Sequence, residues 1–380
     1  MIYLDNGATT YPKPKSVIAS VTRAMTEFGA NAGRGAYKMA VDTTEQIYLC
    51  RKTVADFFGC PSSENIIFTY NCTMALNIAI KGLAVRGAHF VISDLEHNAV
   101  LRPLEKLSAD GVCSYSIAKV EYDEQKTLEN FENALRSNTV AIICTGASNV
   151  FGIIPPLKAL SRLAHKNGSL FIVDSAQTAG VLPINMTDDG IDILCCAGHK
   201  GLMGPTGTGI LIFACDIPLN TIIEGGTGSN SALAVQPSVL PDRFESGTPN
   251  IPGIIGLHRG IEFVNEAGAK NICRHEIKLI KYLQRNLENS RRIKLYTDFF
   301  DSSQNLAPIL SFNIDGMHSE QTAAILAESG IAVRAGLHCA PLAHRKMNTE
   351  DTGTVRICPS FFTKKSDIDF VIKSIRKIAN

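Results

Sequence analysis

The stretch SLFIVDSAQTAGVLPINMTDDGIDILCCAGHKG, residues 169–201, decides the fold. It opens on the apolar run SLFIVD (169–174) and closes after a second one, IDILCC (191–196). Both are short, near-continuous and β-rich, the pattern of strands covered on both faces. Working outward, VAIICT (140–145) precedes the helical PPLKALSRLAHKNG (155–168), where prolines open the helix and Gly168 follows it. HFVIS (89–93) leads into HNAVLRPLEKLS (97–108), IIFTY (66–70) into TMALNIAIKGLA (73–84), and GILIFA (209–214) is one more buried strand. Strand and helix in series predict a mainly parallel sheet wrapped by helices, the α/β class.

The last third reads differently. ICRHEIKLIKYLQRNLEN (272–289) is a long amphipathic helix, followed by LAPILSFNI (306–314), the helix SEQTAAILAESG (319–330), the strand-like IAVRAG (331–336) and a closing helix near DIDFVIKSIRKI (367–378). This predicts a large domain over residues 15–255. A smaller α+β C-terminal domain then covers 256–380, with residues 1–14 as an N-terminal arm belonging to it.

Composition narrows the function classes. The 380 residues are 45% hydrophobic and 19% charged, a balance that argues against disorder. Lys and Arg number 37 against 36 Asp and Glu, so no overall field favours nucleic acid or an anionic membrane. No run of apolar residues is long enough to span a bilayer. The opening MIYLDNGATTYPKPK (1–15) lacks the basic and apolar run of a secretory leader, so cytoplasmic residence is expected. The 11 cysteines are scattered and odd in number, and no CxxC pair occurs, which weighs against disulfides and a zinc site.

Two candidate ligand sites follow. The Gly-rich GPTGTG (204–209) leads into a strand instead of opening a helix, so it fails the context of a dinucleotide fingerprint. Asp174 and Lys200, by contrast, both sit at the carboxyl ends of buried strands, where open α/β sheets bind ligands. An acid and a lysine over one crevice suit pyridoxal phosphate, the lysine as Schiff-base partner and the acid holding the pyridine nitrogen protonated. From these two residues alone, an ordinary salt bridge at the strand ends competes with that reading.

The chain resembles the class V aminotransferase-related enzymes of fold-type I, and within them the cysteine desulfurases. YLDNGAT (3–9), FTYNCTMALN (68–77), EHNAVLRP (96–103), SNVFG (148–152), VDSAQ (173–177), AGHKGLMGPTGTGIL (197–211), ESGTPN (245–250) and VRAGLHCA (333–340) occur in the family's order. The resemblance implies pyridoxal 5'-phosphate as cofactor, with Lys200 the Schiff-base lysine and Asp174 the partner of the pyridinium nitrogen. It further implies that Gln177 bonds the phenolic oxygen, that His97 stacks on the ring and serves as a proton carrier, and that Asn149 lies near the phenolate and the substrate carboxylate. Cys72, Thr73 and His199 match phosphate contacts. Thr248 matches a threonine reaching the phosphate from a neighbouring subunit, and Arg34 in NAGRGAYK (31–38) matches another cross-subunit segment, so a homodimer is implied. Arg356 and Arg334 are implied at the substrate carboxylate, and Cys339 as the cysteine that accepts sulfur. The compact loop resembles the SUF-type, or group II, desulfurases. Two positions depart from the family: Ala197 stands where many relatives carry Ser or Thr, and Leu337 replaces a histidine.

The expected activity is therefore conversion of L-cysteine to L-alanine with persulfide formation on Cys339. L-selenocysteine is an alternative substrate, and a sulfur-acceptor protein, in iron–sulfur assembly or another pathway, an implied partner. Selenocysteine lyase and cysteine or cystine lyase share the core and stay open, as does a non-catalytic binding protein of the same fold. A metal site from His338, Cys339 and His344 is a rival without a fourth ligand.

Overall fold

Seven strands alternate their side chains between two apolar layers, as a sheet covered on both faces requires. The computed structural model describes residues 1–33 and 35–380. Its main sheet runs in the order Ile66–Thr69, Gly209–Phe213, Ile193–Ala197, Leu170–Asp174, Thr139–Thr145, Ala88–Ser93 and Cys113–Ala118. On one face Val91, Ile142, Phe171, Val173, Leu194 and Ile212 pack together, and on the other Phe90, Ile92, Ile143, Ile172, Ile193 and Leu211 do so. Neighbours pair in parallel except at Gly209–Phe213, which is antiparallel to both strands flanking it. The α/β class expected from the apolar runs is what the chain adopts.

Strand order in space reverses direction between Thr139–Thr145 and Ala88–Ser93, because the chain leaves Ala88–Ser93 outward to Cys113–Ala118 and then returns on its other side. Beyond the carboxyl ends at such a switch point the loops part and leave a crevice. His97, Asn149, Asp174 and Lys200 lie at or just beyond the ends of four of these strands.

The C-terminal part builds a three-stranded antiparallel sheet of Val355–Ile357, Leu310–Ile314 and Ile293–Leu295, backed by Ala269–Leu287 and Lys365–Ala379. The run at 306–314 becomes a strand only from Leu310, since Pro308 has no N–H to give to a ladder. The N-terminal arm adds Ile2–Tyr3 in parallel to Ile331–Ala332, and the Cys358 amide donates to the Leu4 carbonyl at 2.8 Å. The expected boundary at 255/256 falls inside the unbroken helix Ile251–Ala267, which packs on Lys15–Glu27 and Lys38–Phe58. Among the described residues no helix is long and apolar enough to cross a membrane.

Candidate active site

A cavity of about 100 Å³ opens at the switch point, lined among others by Cys72, Thr73, His97, Asn149, Asp174, Gln177, His199 and Lys200. Eight residues from five separate motifs therefore converge on one volume.

The anion end is built by the helix Cys72–Leu83. Its N-cap, Asn71, accepts the Met74 amide at 2.9 Å. The amides of Cys72 and Thr73, one turn too early for an intrahelical partner, lie at the positive end of the helix dipole. Ala197 also lines this cavity and supplies no hydroxyl.

Asp174 ends its strand with its carboxylate inside the protein. Its Oδ1 accepts the Ala176 amide at 2.9 Å and the Cys72 thiol at 3.4 Å. Lys200 is half-buried in the turn after Ile193–Ala197. Its pKa is lowered, first by desolvation and then by the Arg356 guanidinium, with Asp174 acting in the opposite sense. A lysine so placed is closer to a free amine than a surface lysine.

His97 is the N-cap of Asn98–Ala109, and its Nδ1 accepts the Ala99 amide at 3.0 Å. That bond leaves Nε2 as the nitrogen able to carry a proton toward the cavity. Burial lowers the His97 pKa, which Asp174 partly opposes. Gln177 Nε2 donates to the Gly7 carbonyl at 3.0 Å, and His199 Nδ1 pairs with Thr9 Oγ1 at 3.0 Å. Burial pushes the His199 imidazole down to about 4.

The C-terminal part meets this site through Asn149. Arg356 is 2% exposed; its Nη1 donates to the Asn149 carbonyl at 2.8 Å and its Nη2 to Asp5 Oδ1 at 2.8 Å. Its Nε is buried without a partner, and so is Asn149 Oδ1. Arg334 pairs its backbone with that of Arg356, while its side chain is exposed. Cys339 is exposed in a loop where Gly336, His338 and Cys339 have φ of 94°, 48° and 57°. Asn149 Nδ2 donates to the His338 carbonyl at 2.7 Å, and the Asn98 amide to the Cys339 carbonyl at 2.8 Å. His338 donates from Nε2 to the Thr354 carbonyl at 3.0 Å and is pushed down to about 2 by burial and by Arg356. It is therefore a neutral packing group. Among the described residues no group of three or more His, Cys, Asp or Glu could hold a metal ion.

One expected residue lies elsewhere. Thr248 is exposed beside a separate cavity of about 50 Å³ shared with Phe68, Tyr70 and Asn250, so within one chain it does not join the Lys200 crevice. Its segment is anchored by Glu245, which pairs with Arg51 and accepts the Phe68 amide at 2.6 Å. Arg34 lies outside the described residues.

Sequence reasoning missed the contribution of the arm. The His199 carbonyl, one residue before Lys200, accepts from Lys13 Nζ at 2.6 Å, Thr9 Oγ1 at 3.2 Å and the Thr10 amide at 3.2 Å. Burial pushes Lys13 down to about 8. The motif YLDNGAT pointed to this segment, but nothing local says that it clamps the Lys200 turn and Arg356.

Comparison with known proteins agrees with this geometry. Residues 2–371 match the model of the aminotransferase class-V family. The chain is 34% identical to a probable cysteine desulfurase of Methanothermobacter thermautotrophicus over 100% of this chain and 94% of that protein. It is 32% identical to a probable cysteine desulfurase of Pyrococcus abyssi over 94% and 88%, respectively. Among solved structures, the apo cysteine desulfurase of Thermococcus onnurineus NA1 is similar with a TM-score of 0.92 and 30% identity, covering 100% of this chain and 94% of that one.

Proposed function

The chain belongs to the aminotransferase class-V family, and from that premise we propose that it is a pyridoxal phosphate-dependent cysteine desulfurase. The observation that carries the amino-acid substrate is the buried, unpartnered Nε of Arg356, whose Nη1 bonds the backbone of the cavity-lining Asn149. A buried guanidinium N–H without an acceptor is costly, and a carboxylate supplies the acceptor.

The residues fit the cofactor. Amides at the start of Cys72–Leu83 suit a phosphate, Asp174 suits a protonated ring nitrogen, His97 suits a ring face, and Lys200 suits the aldehyde. Gln177 and His199 would hold its polar edge, with Thr248 reaching it from the partner of a homodimer. When bound, the cofactor supplies an electron sink for the substrate α-carbon.

The remaining steps belong to the protein. Arg356, with Arg334 beside it, orients the substrate carboxylate. Lys200 Nζ, biased toward its neutral form by desolvation, takes the α-proton and returns it to carbon. His97 Nε2 carries a proton between substrate and solvent. Cys339 Sγ attacks the substrate sulfur: an S–S bond forms, the Cβ–S bond breaks, and the Cβ–S electron pair takes up one proton, the one the attacking thiol gives up, so that alanine and a Cys339 persulfide result. Exposure of Cys339 supports onward transfer to an acceptor protein, for iron–sulfur assembly or another thiolation route. Eleven free cysteines support a reducing, cytoplasmic setting.

Product analysis tests this reading. Wild-type protein with L-cysteine yields alanine and a Cys339 persulfide. Cys339→Ser forms no persulfide, and its alanine output falls by about two orders of magnitude or more, because a hydroxyl is a poor nucleophile toward sulfur. Pyruvate and sulfide from both proteins would identify a lyase instead.

A further inference from the structure

Arg356 already holds a carboxylate. Asp5 Oδ1 lies 2.8 Å from Nη2, and the guanidinium itself is sealed from solvent. A carboxylate bound side-on to arginine takes Nε together with Nη2, the two nitrogens on one edge. Nη1 is spoken for by the Asn149 carbonyl. Asp5 thus takes one half of the side-on edge, and the other half, Nε, is left buried without a partner.

We propose that Asp5 is an internal competitor for the substrate carboxylate, resting on Nη2 of Arg356 until an amino acid displaces it. This rests on the reading of Arg356 as the carboxylate anchor and adds the residue that sets its affinity. The physical need is plain: a buried guanidinium with no anion is strongly unfavourable, so the resting enzyme requires a counter-charge. Asp5 meets that need with one hydrogen bond where a substrate carboxylate makes two, so the substrate can win.

Displacement needs only a side-chain rotation. The Asp5 carbonyl is fixed by the Ala8 amide at 3.0 Å and the Tyr3 hydroxyl at 3.2 Å. On either side, Leu4 and Asn6 bond to the Cys358 backbone at 2.8 and 2.9 Å. The Asp5 side chain is 19% exposed against 2% for Arg356, so the acid has somewhere to turn and the arginine does not.

The test is titration of the holoenzyme with L-alanine, followed by its visible spectrum, in wild type, Asp5→Asn and Arg356→Gln. With Asp5→Asn, L-alanine binds about tenfold more tightly, the worth of one charge-assisted hydrogen bond. The KM for L-cysteine falls in parallel, and the gain appears in KM, not in kcat. Asp5→Ser, too short to reach the guanidinium, shows the same tightening and guards against a misfolded Asn variant. Unchanged or weaker L-alanine binding in both Asp5 variants, with binding lost in Arg356→Gln, would overturn the competition and leave the anchor standing. Unchanged binding in Arg356→Gln would overturn the anchor itself.

Discussion

Glu276 lies on the buried face of Ala269–Leu287, 4% exposed, and lines a cavity of about 40 Å³ that it shares with Lys200, Gln177 and Cys358. Burial raises its carboxyl from the ordinary 4.5 to about 8. The native protein therefore keeps a proton at neutral pH that the unfolded chain releases. Stability from this group is fully present below pH 4.5 and is lost as pH rises through the window from about 4.5 to about 8. Each unit of that window is worth about 1.4 kcal/mol, so the loss is about 1 kcal/mol at pH 5 and about 3 kcal/mol at pH 7. Glu276→Gln keeps the shape and abolishes the titration. The variant is expected to match wild type at pH 4 and to exceed it by about 3 kcal/mol at pH 7. Urea unfolding of the cofactor-free protein across pH 4–8, at fixed protein concentration, measures the difference. A difference between the two proteins that does not change with pH would refute the reasoning, because only a proton kept on folding produces that slope.

Lys200→Ala is expected to remove the lysine-bound visible chromophore and all turnover, as the neighbouring amine, Lys13, is engaged on the His199 carbonyl; retained absorbance with alanine production would refute the assignment. Thr248→Ala is expected to weaken cofactor retention several-fold in a homodimer and to leave the single-chain fold intact, as read by dialysis against cofactor-free buffer and by sedimentation. A wild-type monomer fully active at high dilution would contradict the shared site.

Strands covered on both faces were legible because their apolar runs are continuous, and the crevice followed from where those runs end. Cys113–Ala118 was not legible. It is an edge strand whose Ser114, Tyr115 and Ser116 are half-buried, so its polarity reads as loop. The helix Ile251–Ala267 runs through the expected boundary at 255/256 although prolines stand at its start. Pro252 is tolerated there because the first helical turn needs no intrahelical N–H. The residues converging on the Lys200 cavity came from motifs, whereas the arm's contacts rest on pairings such as Asp5 with Arg356, 351 positions apart. No local periodicity encodes a contact at that range. Glu276 stayed hidden for a similar reason, since a glutamate on an amphipathic helix reads as solvated until the neighbouring elements cover it.

The backbone around Cys339 explains why the sulfur-bearing residue can be both exposed and held. His338 and Cys339 each occupy the left-handed region at φ 48° and 57°, which costs a non-glycine residue about 1–2 kcal/mol. Four hydrogen bonds offset that strain: Asn149 to the His338 carbonyl, Asn98 to the Cys339 carbonyl, His338 to the Thr354 carbonyl and the Thr354 amide to the Gly336 carbonyl. At about 1 kcal/mol each their sum is comparable to the strain. Two of the four donors are themselves part of, or next to, the cavity-lining residues Asn149 and His97. Whatever shifts the end of Ala88–Ser93 or Thr139–Thr145 therefore shifts the Cys339 loop with it. The position of Sγ is set by the same sheet that positions Asp174 and Lys200, and the loop's tight turn leaves it little freedom to be set by anything else.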